Sequence, residues 1–151
     1  MTENIHATGV SINGYGVLLT GESGAGKSDL ALRLIDRGAK LISDDRIIVE
    51  PKEPLPLLHG APNITGKIEV RGVGILNVPS VSAIPLRLVI ALDQPIERLP
   101  AKGRTQSIAG FDIPWLVLSA FEASTPVKIE LALKMLVDAG IVPVATASRS
   151  E

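Results

Sequence analysis

A glycine-rich octapeptide near the N-terminus carries the most specific chemical pattern in this sequence. Residues 21 to 28 read Gly-Glu-Ser-Gly-Ala-Gly-Lys-Ser, which fits the pattern G-x-x-x-x-G-K-S/T at every fixed position. In such a loop the glycines let the backbone approach phosphate oxygens, and the amide N–H groups converge on them. Lys27 adds a positive charge for the outer phosphates, and the hydroxyl of Ser28 is a ligand for Mg²⁺. The octapeptide therefore predicts a site for a nucleoside triphosphate and Mg²⁺, formed by Gly21, Glu22, Ser23, Gly24, Ala25, Gly26, Lys27 and Ser28.

Two adjacent acids come later in the chain, directly after the predicted strand Leu41 to Ser43. Asp44 and Asp45 would lie near the phosphate loop, because ligands collect at the carboxyl ends of strands in α/β sheets. One of these acids could bind Mg²⁺ through water, or one could act as a base. Sequence spacing does not separate the two roles, and the alternative is a pair of solvated turn residues.

Four further side chains have the right chemistry without a decisive pattern. Glu69 and Arg71 would share one face of a strand, where they could serve a metal and a phosphate, although a surface salt bridge explains the spacing equally simply. Arg98 lies in a polar, basic segment, which is either a solvated loop or a cationic loop that closes over phosphate. His6 is a lone histidine in a predicted strand, and the two histidines of the chain do not have metal-site spacing.

The elements around the octapeptide are those that a phosphate loop requires. Val17 to Thr20 is a short apolar run of strand-forming residues. From Lys27 to Arg37 the apolar residues recur at helical spacing, and Gly38 stands where a helix commonly ends. A helix that begins at Lys27 directs the positive end of its dipole at the phosphates. This strand–loop–helix context argues against a glycine-rich turn that contains Gly-Lys-Ser by chance.

The rest of the chain predicts further strands and one more helix. Strands are expected at Ile5 to Ile12, Ile68 to Val78 and Leu86 to Leu92, and a helix at Val127 to Ala139. The segments Pro51 to Pro62 and Pro95 to Gly110 are expected to be loops. The order β-β-loop-α-β followed by more strands indicates a mixed α/β sheet in one domain, residues 1–143, with a flexible tail over 144–151.

Composition excludes several classes of function. Of the 151 residues, 46% are apolar and only 3% aromatic, so the chain is a globular protein without a base-stacking surface for single-stranded nucleic acid. A net charge of -1 provides no field that would select DNA or RNA. The absence of cysteine excludes disulfides and is compatible with the cytoplasm. No apolar run is long enough to span a membrane.

Taken together, these motifs resemble the catalytic domain of HPr kinase/phosphorylase, a bacterial enzyme that phosphorylates a serine of the phosphocarrier protein HPr. The resemblance covers about the first two thirds of the chain and is most specific at Asp-Asp-Arg and Glu-Val-Arg-Gly-Val-Gly. The blocks that carry it are Ile5-His6, Gly14 to Ser28, Arg37 to Arg46, Ile68 to Ile75 and Arg98-Leu99. It implies a P-loop in a mixed β-sheet and a nucleotide-binding core like that of phosphoenolpyruvate carboxykinases.

The resemblance also implies a role for each matching residue. Lys27 and the loop amides would hold the phosphates of ATP, and Mg²⁺ would be served by Ser28 and Glu69 with help from Asp29. The Asp44-Asp45 pair would supply the carboxylate that takes the proton from the substrate serine, with Asp45 the preferred member. His6 and Arg98 match a histidine and an arginine of the family's active site.

At the level of the whole protein, the resemblance implies a cytoplasmic homohexamer that acts on an HPr-like phosphocarrier. It also implies a short form that lacks the N-terminal domain of full-length members. The segment from Ile113 to Pro126 lacks the pattern associated with the phosphorylase reaction, so kinase activity is the firmer expectation. The competing interpretations are a small-molecule kinase or carboxykinase-like enzyme on the same loop, and a nucleotide sensor without catalysis.

Overall fold

A computed structural model describes residues 2–99 and 103–146. Within these residues the chain forms a large mixed sheet, a separate two-stranded ribbon and two α-helices. The elements in chain order are β1 (Glu3–Ile5), β2 (Thr8–Ile12), β3 (Tyr15–Thr20), α1 (Lys27–Asp36), β4 (Lys40–Ser43), β5 (Ile47–Glu50), β6 (Leu57–Gly60), β7 (Lys67–Val70), β8 (Gly74–Asn77), β9 (Ile84–Ala91), β10 (Thr105–Ile108), β11 (Phe111–Val117), α2 (Thr125–Asp138) and β12 (Val144–Ala145).

The centre of the large sheet is β9, which has both parallel and antiparallel neighbours. It pairs in parallel with β3 and β11, and antiparallel with β6. The main path of the sheet runs β1-β5-β6-β9-β3-β2-β4, while β10 and β12 pair with β11. The mixed α/β sheet predicted from the sequence is therefore confirmed.

The two faces of β3 and β9 are buried in different apolar clusters. Leu19 and Ile90 face the cluster that contains the buried side of α1 and of α2, while Leu18 and Val89 face a second cluster built mainly from strands. Alternation along a strand sends neighbouring side chains to opposite faces, so both central strands must be apolar throughout. This explains why Val17 to Thr20 reads as a continuous apolar run.

The strand–loop–helix prediction around the octapeptide is confirmed, whereas two predicted loops contain strands and one strand was missed. The predicted loop Pro51 to Pro62 contains β6, and the predicted loop Pro95 to Gly110 contains β10. The strand β11 was not predicted at all. The strands β6 and β10 have only four residues each, and all three strands are ordered by pairing with other strands, which local patterns do not reveal. The predicted strand Ile68 to Val78 is divided into β7 and β8 by a turn in which Gly72 has a φ of +87°.

The C-terminal boundary also differs from the prediction. Val144 and Ala145 form β12, which pairs with Asp112 and Phe111 in β11, so the first residues of the predicted tail belong to the fold. The remainder of that tail, residues 147–151, lies outside the described residues. Within the part of the chain that the structure describes, no helix is long and apolar enough to cross a membrane.

Candidate active site

The glycine loop connects the end of β3 to the first residue of α1. Gly26, the residue before the helix, has a φ of +94°, a left-handed conformation that glycine adopts without strain. A Cβ atom at this position would lie 2.8 Å from the Cβ of Ala120 and 3.1 Å from the Cε1 of Phe121. Glycine at position 26 is therefore required by the backbone conformation and again by the close packing of the chain around Ala120.

The ammonium group of Lys27 bonds to the backbone of the loop itself. The side chain is only 6% exposed, and Nζ donates hydrogen bonds to the carbonyl oxygens of Gly21 (2.7 Å) and Glu22 (3.1 Å). On the outer side of the loop, the Glu22 N–H donates to Oδ2 of Asp93 at 3.2 Å. An ammonium group has three hydrogens, so Lys27 has a further donor for a ligand beyond the two loop carbonyls.

The carboxylate of Asp44 is buried at the base of the site and accepts hydrogen bonds on both oxygens. The residue is 7% exposed. Its Oδ1 accepts from the hydroxyls of Ser28 (2.6 Å) and Thr8 (3.0 Å), and its Oδ2 accepts from the backbone N–H of Glu69 (3.1 Å). Asp44 thus joins four separate segments: the start of α1, β2, the end of β4 and β7.

Asp45 has the opposite surroundings. Its side chain is 66% exposed, and its Oδ1 lies 2.6 Å from Nε2 of His6, whose side chain is 52% exposed. An ionised carboxylate only accepts hydrogen bonds, so His6 donates through Nε2–H. Asp45 has a φ of +68°, which turns the chain sharply after the buried Asp44. The carboxylate of Asp45 is therefore accessible to a partner in solution, whereas that of Asp44 is not.

A cavity of about 480 Å³ lies over the start of α1 and collects most of the predicted site. It also contains three apolar residues that were not singled out from the sequence, and Arg71, which was considered there as a possible phosphate ligand. The predicted residues that line it are Ser23, Gly24, Gly26, Lys27, Ser28, Asp29, Asp45 and Glu69, and the additional ones are Leu32, Val70, Arg71 and Phe121.

Other predicted residues lie outside this cavity. His6, Gly21 and Glu22 line a second cavity of about 620 Å³, so the loop and the His6–Asp45 contact separate the two spaces. Arg98 lines a third cavity of about 340 Å³, in which Arg104 lies over the ring of Trp115 and pairs with Glu97. The structure does not bring Arg98 to the residues around Lys27.

The chemistry of the cavity fits Mg²⁺ bound together with a polyphosphate. Its oxygen donors are carboxylates and the hydroxyl of Ser28, the hard ligands that Mg²⁺ prefers. Because Ser28 uses its hydrogen on Asp44, its lone pairs are available to a cation. Among the described residues, no three His, Cys, Asp or Glu side chains form a metal-binding group. Mg²⁺ usually takes one or two protein ligands and completes its shell with phosphate and water.

Sequence reasoning also missed three residues that lie against the loop or bond to its acids. Asp93 follows β9 at its carboxyl end, next to the end of β3, so the acid-after-strand rule used for Asp44 could have found it. Thr8 lies two residues after His6, and only its hydrogen bonds reveal its position. Phe121 approaches Gly26 from a segment with no sequence signal for function.

The fold and the loop define a class: α/β proteins in which a glycine-rich loop joins a central strand of a mixed sheet to a helix. Residues 1–143 match the family model described as HPr Serine kinase C-terminal domain. The chain belongs to this family.

Similar proteins support this assignment. The HPr kinase/phosphorylase of Limosilactobacillus reuteri is 35% identical over 149 residues, which cover 90% of this chain and 44% of the relative. That of Clostridium acetobutylicum is 44% identical over 98 residues, which cover 60% of this chain and 32% of the relative. The chain spans less than half the length of these relatives.

A solved structure described as the Hpr(Ser) kinase/phosphatase from Coxiella burnetii is also similar. It superposes with a TM-score of 0.76 at 30% sequence identity, over 91% of this chain and 93% of that chain. The family resemblance and the fold class predicted from the sequence are thereby confirmed.

Proposed function

We propose that this chain is an ATP- and Mg²⁺-dependent protein serine kinase that phosphorylates an HPr-like phosphocarrier. The observation that carries the proposal is the contrast between the two acids. Asp44 is buried and bonded to Ser28 of the glycine loop, while Asp45 is exposed beside the same cavity. A phosphoryl-transfer site needs both a fixed group behind the nucleotide and an accessible group for the nucleophile.

The loop supplies the nucleotide half of the site. Lys27, with its remaining N–H, neutralises charge on the outer phosphates, and the start of α1 adds its positive dipole end. Ser28 and Asp44 together correspond to the hydroxyl and acid that hold Mg²⁺ in P-loop enzymes, and the side chains of Glu69 and Asp29 line the same cavity. When bound, Mg²⁺ would neutralise charge that develops on the transferring phosphoryl group.

Asp45 supplies the acceptor half. Its exposed carboxylate takes the proton from the serine hydroxyl as the new oxygen–phosphorus bond forms and the bond from the γ-phosphorus to ADP breaks. His6 holds the carboxylate through the 2.6 Å contact and so keeps one oxygen oriented. Asp44 is unsuited to this step, because both of its oxygens already accept hydrogen bonds inside the fold.

The choice of substrate rests on the relatives, whose names designate HPr as the protein acted on. An open site favours a protein acceptor, since a small molecule would need an enclosing pocket with its own polar anchors. The exposure of Asp45 and His6 supports the protein acceptor.

Replacement of Asp45 by Asn tests this division of roles. The variant retains size and polarity but cannot accept a proton, so ATP binding should stay within about twofold while transfer falls by about 100- to 10,000-fold, the usual contribution of a general base. Calorimetry with Mg·ATP and a single-turnover transfer assay measure the two quantities. Asp36→Asn, at the far end of α1, is the matched control. Undiminished transfer by the Asp45 variant would remove the base from this position.

Three finer points remain parts of the proposal. Homohexamer formation and a cytoplasmic location follow from the family resemblance, and light scattering of the purified chain would measure its assembly.

Arg98 keeps its predicted catalytic role only if closure of its segment brings it from the third cavity to the phosphates. Dephosphorylation of the carrier would be a phosphorolysis, in which an oxygen of inorganic phosphate attacks the phosphoserine phosphorus, the serine oxygen leaves with a proton, and pyrophosphate forms. Pyrophosphate release after phosphate is added to phosphorylated carrier would reveal it.

A further inference from the structure

A buried threonine connects the two acids of the site. Thr8, the first residue of β2, is completely buried. Its Oγ1 lies 3.0 Å from Oδ1 of Asp44 and also 3.0 Å from the backbone nitrogen of Asp45. One hydroxyl oxygen therefore contacts the carboxylate of the first acid and the main chain of the second.

The direction of both hydrogen bonds is fixed by the chemistry of the partners. The carboxylate of Asp44 can only accept, so the single hydroxyl hydrogen of Thr8 points to it. The N–H of Asp45 can only donate, so it points to a lone pair of the same oxygen. The resulting chain runs from the Asp45 N–H through Thr8 to the Asp44 carboxylate, which also accepts from Ser28.

The contact lies at a backbone conformation that residues with a side chain seldom adopt. Asp45 is in the left-handed region, with φ +68°. The turn is closed by the Arg46 N–H, which donates to the carbonyl oxygen of Asp44 at 2.7 Å. Strained conformations of this kind persist only where surrounding contacts hold them. Thr8 is the side chain that holds the N–H of the strained residue.

We propose that Thr8 is a positioning residue for phosphoryl transfer: its hydroxyl fixes the turn that directs the Asp45 carboxylate toward His6 and the acceptor. The inference rests on the proposed function. Thr8 itself is buried and does not line the cavity over Lys27. Its effect is therefore on the orientation of Asp45 and, through Asp44, on the hydroxyl of Ser28.

Removal of the hydroxyl should affect turnover more than nucleotide binding. Without it, the N–H of Asp45 loses its acceptor and Asp44 loses one of its donors, so the turn relaxes. A displacement of about 1 Å at a reacting group lowers a rate by up to about 100-fold. Lys27 bonds to the carbonyl oxygens of Gly21 and Glu22 and not to Thr8. Its charge-assisted hydrogen bonds to the phosphates should therefore be kept, so ATP affinity should change by no more than about threefold.

The test compares two pairs of proteins, and in each pair only one member has the hydroxyl. The first pair is the wild type and Thr8→Val, which keeps the shape of threonine and removes the hydroxyl. The second pair is Thr8→Ser, which keeps the hydroxyl and removes the methyl group, and Thr8→Ala; it replaces the first pair if the valine variant does not fold. The kcat for carrier phosphorylation, the KM for ATP and thermal unfolding are measured for each.

A spectroscopic measurement adds a readout that does not depend on activity. The chain has only two histidines, His6 and His59, so their ring signals are readily distinguished by NMR. His59 bonds to Glu50 and Ser82 rather than to Asp45 or Thr8, and serves as an internal reference. If Thr8 fixes Asp45, the ring signals of His6 should shift in the variants without the hydroxyl, while those of His59 remain in place.

The outcomes are distinct. A lower kcat in the Val and Ala variants, with shifted His6 signals and with recovery in Thr8→Ser, supports the positioning role. Wild-type kcat in the Val variant, or equal losses in the Ser and Ala variants, would overturn it in favour of simple packing. If the wild-type chain transfers no phosphate, the proposed function fails by that result alone, and unmoved His6 signals would separately refute the role of Thr8.

Discussion

At the scale of single residues, the site depends on two adjacent acids that have the same chemistry but different surroundings. Asp44 and Asp45 are identical acids at neighbouring positions, yet one has three hydrogen-bond donors in the interior and the other faces solvent. The sequence predicts that this pair is important, because it follows a strand beside a phosphate loop. It does not predict which acid does what, since that depends on Thr8 and on the left-handed turn between them.

Lys27 provides the residue-scale prediction for nucleotide binding. Lys27→Ala removes the buried ammonium group and its hydrogen bond to phosphate, and charge-assisted hydrogen bonds contribute about 1.5–3 kcal/mol each, so affinity for Mg·ATP should fall by about 10- to 100-fold. Titration calorimetry measures the change, with far-UV circular dichroism as the check on folding. Lys134→Ala removes the same charge from the exposed face of α2, where Lys134 pairs with its helical neighbour Asp138, and should bind ATP normally. Equal affinities for the two variants would show that the loop is not the phosphate site.

At the scale of elements, the strand, the loop and the helix around residues 15 to 36 are predictable because their signals are local. Helical periodicity and the glycine pattern each lie within a short window of sequence. The strands β6 and β10 are different, since both lie in segments rich in turn residues and are ordered by partners elsewhere. Phe121 is likewise brought to Gly26 by the path of the chain between β11 and α2, which no local pattern records.

The packing of the loop against that segment gives a prediction at this scale. Gly24 and Gly26 have similar positive φ values, +87° and +94°, but only Gly26 lacks room for a Cβ. Gly24→Ala should lose about 1–2 kcal/mol of unfolding free energy from the left-handed backbone. Gly26→Ala should lose about 1–3 kcal/mol more from overpacking against Ala120. Urea denaturation measures both, and equal losses would show that the contact with Ala120 imposes no constraint.

At the scale of the whole molecule, β9 is the strand that contacts both the candidate site and the two apolar clusters of the core. It carries Asp93 just beyond its end, it lies beside β3 that leads into the loop, and its two faces enter both apolar clusters. The residues of the candidate site come from segments between His6 and Phe121, so the site exists only when the whole sheet is assembled. Motif order alone could predict the family and the fold class. The assignment of a role to each acid required the three-dimensional contacts.

The central claim is that this chain transfers the γ-phosphate of ATP to a serine of an HPr-like carrier. The most direct test incubates the purified chain with labelled ATP, Mg²⁺ and the carrier, beside a carrier whose acceptor serine is replaced by alanine. We expect label on the first carrier and none on the second. Absence of label on both carriers, with ATP still bound, would contradict the account and would favour a small-molecule kinase or a nucleotide sensor.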